Sequence, residues 1–285
     1  MTPMLEIHHD KASCRFSAEV DGHGLELDYV RHGEQLIFSH TGTAPELQGR
    51  GLAGKLVEHG LRWAAPLGLQ LVPQCSYVVT WLQRQPRWQR LQLVPAVQQV
   101  LNYWFDPIGS TQDLQARSQW FSKNDAVDEE IRQRFGHLIQ AALAGGLDDW
   151  VTQPLGRLAR ILLLDQFTRN AFRGQAQAFG GDALALADAL ALLDSGQGQA
   201  LEPLQRWFLL MPLEHAEDLA MQQRSVTEFE RLAVIEPKLA DALAYAKRHL
   251  EVIARFGRFP HRNAALQRSS STEELAYLNQ PGSGF

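Results

Sequence analysis

The feature that most constrains this chain is a change of period near Leu93. Before it, short apolar/polar alternations separated by turn residues read as strands. After it, apolar positions recur only at helical spacing. A chain that switches period in this way folds as two modules, expected over residues 1–93 and 94–285. The charges divide along the same line. The first module balances its acids and bases, and the net charge of -5 falls on the second. That balance excludes a general nucleic-acid binder. Cys14 and Cys75 are the only cysteines, which excludes a disulfide scaffold. No run of about 18 apolar residues predicts a membrane span, and the opening Met1–Asp10 has neither a basic start nor an apolar stretch of signal-peptide type. A cytoplasmic protein without membrane or nucleic-acid partners is expected.

In the first module, Cys14–Val20 and Leu25–Val30 alternate on either side of Asp21-Gly22, the signature of a hairpin. A third strand is expected at Gln35–Thr41, a helix over Leu52–Ala65, a strand at Leu69–Cys75 and a closing helix over Tyr77–Gln85. The result is a small α+β domain with a mostly antiparallel sheet. His8 and His9 fall on consecutive strand positions and face opposite ways, so they do not share a metal. Cys14, in an alternating strand, reads as structural. Between the third strand and the first helix lies Gln48-Gly49-Arg50-Gly51-Leu52-Ala53-Gly54. Its glycines permit close backbone approach, and the helix N-terminus behind it offers free N–H groups to an anion such as a pyrophosphate. The spacing fits neither a dinucleotide fingerprint nor a Walker loop.

Gln48-x-x-Gly51-x-Ala53 resembles the acetyl-CoA motif of the GCN5-related N-acetyltransferases. The pair His40-Thr41 before the loop and Pro73-Gln74-Cys75 after the next strand resemble the small single-motif members of that family. The resemblance implies acyl transfer from acetyl-CoA, used as cosubstrate, to a small-molecule amine or peptide acceptor. It implies phosphate binding by Gln48, Gly49, Arg50, Gly51, Leu52, Ala53 and Gly54, and contact of Thr41 and Thr43 with the acyl arm. A backbone N–H would polarise the thioester carbonyl. Thr43-Ala44 depart from the Val-Pro usual in such proteins. Cys75 is the candidate nucleophile, its alternative being a buried structural thiol. His40 is the candidate base, its alternative being a hydrogen-bonded strand residue.

The second module reads as all-α. Helices are expected over 97–105, 127–143, 155–172, 183–193, 204–210, 213–235 and 239–256, with Pro212 near a helix start and a capping box at Ser271–Glu274. Three polar segments stand out. In the first, Asp165, Arg169 and Arg173 at i, i+4, i+8 are expected on one helix face, with Gln166 and Asn170 beside them. The second, Glu214, His215 and Glu217, is expected at a helix start. The third holds Arg255, Arg258, His261, Arg262 and Asn263, after a helix carrying His249. These segments resemble the signatures of the bacterial DUF924 family, which implies tetratricopeptide-like helical pairs and brings no activity. Gln267 stands where that family has glycine. If the segments converge, their arginines suit an anionic small molecule or peptide carboxylate. A buried ion-pair network is the alternative, and no metal is expected, because neighbouring Glu214 and His215 diverge on a helix. The expected function is acetyl-CoA-dependent N-acyl transfer, with the helical domain aiding acceptor or protein-partner binding. The rivals are a non-catalytic CoA-binding scaffold and a helical domain with its own activity on an anionic metabolite.

Overall fold

The computed structural model describes residues 5–107, 117 and 120–283. The chain folds as two compact units, Met1–Leu114 and Gln115–Phe285.

In the first unit, strands β1 (His8–Asp10), β2 (Arg15–Val20), β3 (His23–His32) and β4 (Gln35–Thr43) form an antiparallel meander, and β5 (Gln70–Pro73) adds parallel to β4. The β2–β3 turn places both Asp21 and Gly22 at positive φ (58° and 78°), as a tight hairpin turn requires. Helix α1 (Leu52–Ala64) returns from β4 to β5 and packs Leu56, Val57 and Leu61 on the sheet, against Phe16, Leu27 and Phe38. All six are buried. His9 joins this layer: its ring stacks on Phe16 at 4.0 Å and its Nε2 meets the Tyr29 hydroxyl at 2.9 Å. Helix α2 (Ser76–Gln83) follows β5, and α3 (Pro86–Gln89) is a single turn.

Helix α4 (Pro95–Trp104) has the period of the later helices but lies in the first unit. The amide of buried Gln98 reaches the carbonyls of Leu69, Leu91 and Leu93, which binds α4 to the segments flanking β5. Helix α4 thus groups with the first compact unit, which runs past the expected 93/94 boundary in sequence.

The second unit is helical throughout its described residues: α5 (Asp125–Leu143), α6 (Pro154–Ile161), α7 (Thr168–Ala171), α8 (Asp182–Asp194), α9 (Pro203–Glu214), α10 (Leu219–Ile235), α11 (Ala240–Phe256) and α12 (Thr272–Leu278). Asn124, Asp218 and Ser271 cap α5, α10 and α12 through side-chain oxygens. Two sequence expectations change here. The helix expected over 155–172 is interrupted, because Leu162–Phe167 winds as a π-helix between α6 and α7. Pro212 lies inside α9, and the next helix begins only after the Asp218 cap, so Glu214 ends a helix instead of starting one. The stretch Ala176–Asp194 is long and apolar enough to cross a membrane by length and composition. It is divided at Gly180-Gly181, however, and its Asp188 is bound by Arg157 and Arg160 of α6.

Candidate functional sites

Strand β4 carries an irregularity where Asp28 pairs with His40 but Tyr29 pairs with Phe38, leaving Ser39 without a cross-strand partner. Such a bulge re-aims the residues beyond it. Strand β5 stops at Pro73, so the last residues of β4 have no β5 neighbour. In that opening, Thr41 Oγ1 lies 2.7 Å from Cys75 Sγ. Cys75 is the N-cap of α2, with extended backbone dihedrals. Burial alone would raise its thiol pKa. The Thr41 hydroxyl and the N–H groups of Val78, Tyr77 and Thr41 outweigh that and hold it below the usual cysteine value.

His40 is not part of this pair. It lies opposite Asp28 with its ring mostly exposed, its Nε2 4.0 Å from Glu26. Thr41, its neighbour, lies opposite buried Leu27. Side chains alternate along a strand, so His40 and Cys75 belong to opposite faces. Of the two catalytic candidates, Cys75 lies beside Thr41 and His40 lies on the opposite face.

Past β4 the chain makes a short turn at Pro45–Leu47 and enters α1 through Gly49 and Gly51, at φ 75° and 73°. Gly51 is the N-cap and has no side chain with which to satisfy the helix start. The N–H groups of Leu52, Ala53 and Gly54 have no acceptor within the helix. Gln48 donates to Thr43 O at 3.4 Å within the loop, and Arg50 donates to Asp21 of the β2–β3 turn at 3.0 Å. Gly54 has a packing reason of its own. A Cβ there would come within 2.8 Å of the Trp81 indole nitrogen, so glycine lets α1 approach α2. Beside Thr43 a groove of about 760 Å³ is lined by Ile7, Leu25 and Gly42 together with Glu6, Glu19 and Glu26.

In the helical unit the three polar segments separate into distinct groups. Arg173 lies beyond the end of α7, and with Asn170 it binds buried Asp128 of α5. The π-turn adds residues to the winding before α7, which removes Arg173 from the Asp165 face. Glu217 takes Arg268 at 2.6 Å and the N–H of Phe259, while Arg268 in turn binds Asn263, fixing the chain after α11. Arg258 grips Glu274, and Arg255 reaches Glu273, both on α12. These are structural ion pairs.

The rest converge. Asp165, fully buried in the π-turn, accepts from Gln166 and lies 2.7 Å from His215 Nδ1. His215 faces His249, whose Nδ1 lies 2.8 Å from Glu214. Arg169 donates to the Ala178 carbonyl and to Asp182 at 2.7 Å. Arg262 reaches the other oxygen of Asp182 at 3.1 Å and lies between the rings of Phe179 and Phe259. Burial, followed by the cations of Arg262 and Arg169 and the rings of His249 and His215, pushes His261 down to about 3. Asp182, at the start of α8, Asp128 and Arg268 belong to these groups and are absent from the sequence reading; a carboxylate in a first helical turn reads as a dipole partner.

The helical signature is matched by a family model described as bacterial protein of unknown function (DUF924), over residues 100–282. The chain belongs to the DUF924 family. A second model, GCN5-related N-acetyl-transferase, matches residues 15–91, so this DUF924 protein carries an acetyltransferase-like domain ahead of the family's own. A solved protein of unknown function from Agrobacterium tumefaciens is 38% identical, with a TM-score of 0.53, covering 57% of this chain and 90% of that one. A comparison with curated proteins finds no match. Among the described residues, no group of three or more histidine, cysteine, aspartate or glutamate side chains is placed to hold a metal ion.

Proposed function

We propose that the N-terminal domain of this DUF924 protein is an acetyl-CoA-dependent N-acyltransferase acting on an amine. The observation that carries the reading is the succession of features along one stretch of chain. The bulged end of β4 holds Thr41 against Cys75, and the loop beyond it enters α1 without a cap, at glycines in the left-handed region. Uncapped N–H groups and the positive end of a helix dipole suit a pyrophosphate. In this reading Gln48, Gly49, Arg50, Gly51, Leu52, Ala53 and Gly54 hold the phosphates, and Thr41 and Thr43 line the acyl arm. Acetyl-CoA supplies the activated acyl group. Cys75, as thiolate, attacks the thioester carbonyl, CoA leaves as its thiolate, and the acceptor amine then takes the acyl group from Cys75 with loss of a proton. The carboxylates of Glu6, Glu19 and Glu26 in the groove beside Thr43 favour a cationic amine. The helical domain serves acceptor or partner binding, and the setting is cytoplasmic.

The test is calorimetric titration of acetyl-CoA and CoA into the wild type and a Gly51→Glu variant, followed by thiol-release assays over a panel of amines. The added carboxylate opposes the pyrophosphate and blocks backbone approach. Binding by the wild type, lost in a folded variant, with about one CoA released per chain without amine and continued release only when an amine is present, supports the reading. No binding by the wild type overturns it.

A further inference from the structure

The acyl-transfer reading makes no use of the cluster around Asp165, in which the carboxylates of Asp165 and Asp182 face the guanidinium groups of Arg169 and Arg262. A single carboxylate, Asp182, serves two guanidinium groups, those of Arg169 and Arg262. The Nη2 of Arg169 and the Nε of Arg262 are buried with no hydrogen-bond acceptor, and the carboxylate nearest to that Nη2, Asp165, is 3.7 Å away. Native proteins rarely leave such donors unsatisfied.

The histidine is equally particular. Asp165 fixes the ring of His215 through Nδ1, and no described residue hydrogen-bonds its Nε2. A carboxylate on one ring nitrogen sets the tautomer and leaves the other nitrogen an acceptor. Arg169 and His215 keep 21% and 14% of their side-chain surface exposed, although the Nη2 of Arg169 and the Nε of Arg262 are themselves covered. The π-turn beneath them holds Asp165 from below, and π-turns recur at functional sites. A recess of 460 Å³ bounded by Leu192, Leu209 and Leu232 contains none of these residues and is a separate feature.

We infer that this cluster is a second ligand site, in which Arg169 and Arg262 bind a small oxyanion and His215 Nε2 accepts a hydrogen bond from a hydroxyl of the same ligand. Two arginine donors lacking acceptors match a group that offers several oxygens. The hydroxyl belongs either to the oxyanion itself, as in monohydrogen phosphate, or to an adjoining carbon.

Inorganic phosphate is the probe, titrated into the full chain carrying Gly51→Glu, so that an anion at the α1 loop does not contribute. The readouts are calorimetry and the ¹⁵N resonances of His215, assigned by their loss in His215→Asn. Saturable binding is expected, with the Nε2 resonance moving as the site fills. Arg169→Gln should weaken binding at least about tenfold, as loss of a charge-assisted hydrogen bond does, with Arg169→Lys between the two. A His215 resonance that phosphate leaves unmoved overturns the inference, as does a folded Arg169→Gln protein that binds like its parent. Should Arg169→Gln fail to fold, the resonance alone decides. Acetyl-CoA binding at the N-terminal domain is measured separately, so the two readings fail independently.

Discussion

Thr41 Oγ1 and Cys75 Sγ lie 2.7 Å apart, joining the bulged end of β4 to the first turn of α2. The contact links two segments that are 34 residues apart in sequence. It exists because β5 ends at Pro73 and leaves the β4 edge open. The hydroxyl stabilises the thiolate against a burial that opposes it.

Replacing Thr41 with Val removes the side-chain donor and keeps the branched shape. Burial is then opposed only by the backbone N–H groups, so the Cys75 pKa should rise. In a Cys14→Ser background, the pH midpoint of Cys75 alkylation by iodoacetamide should move upward relative to the parent. A midpoint that stays in place would show that the hydroxyl does not set the thiol's ionisation.

In the helical unit, Asp165 is the deepest charge. Burial disfavours its ionised form, but His215, Arg169 and the Gln166 amide hold its pKa well below the usual carboxylate range. A depressed folded-state pKa contributes stability above the ordinary value and loses it as pH falls through the folded one. This contribution should therefore be complete at neutral pH and disappear between about pH 4 and about pH 2. Asp165→Asn should cost about 3–5 kcal/mol at pH 7, as breaking one side of a buried pair does. It should also flatten the acid limb of the stability curve followed by ellipticity at 222 nm. An unchanged acid limb would place the acid sensitivity elsewhere.

The π-turn accounts for the largest gap between sequence and structure. Leu162, Leu163, Leu164 and Phe167 are all buried, and their apolar run fits a continuous helix as well as an interrupted one. Periodicity cannot register the wider winding, so it places Arg173 on the Asp165 face although Arg173 binds Asp128. Pro212 misled in a different way: its preference for helix starts is real, but the usable signal was Asp218, whose side chain caps α10. The hairpin, the strand-to-helix loop and the Ser271 capping box were legible because each depends on local chemistry. The meeting of Thr41 with Cys75 joins residues 34 apart, and local chemistry does not register it.

Gly181 tests how rigid the π-turn is. A Cβ at this position would collide with the carbonyl oxygen of Leu164, inside the turn that carries Asp165. Backbone cannot yield as a flexible side chain does, so Gly181→Ala should destabilise the helical unit by about 1–3 kcal/mol, the range for overpacking. Thermal denaturation measures the loss. A neutral substitution would mean that the π-turn relaxes freely and is not held by its neighbour.

Gln267 offers the opposite case, in which a substitution should improve the protein. It stands where the resemblance to DUF924 implies glycine, and its φ is 53°, in the left-handed region. A side chain there costs roughly 1–2 kcal/mol, because Cβ crowds the following carbonyl. Glycine removes that strain but adds roughly 0.5–1 kcal/mol of unfolded-state entropy, so Gln267→Gly should gain up to about 1 kcal/mol. For a unit of this size that is a rise of about 2–4 °C in melting temperature. The neighbouring Arg268 binds Glu217 and Asn263, so a relaxed turn at 267 should preserve those bonds. A melting temperature that falls instead would show that the glutamine side chain contributes more by its contacts than its backbone conformation costs.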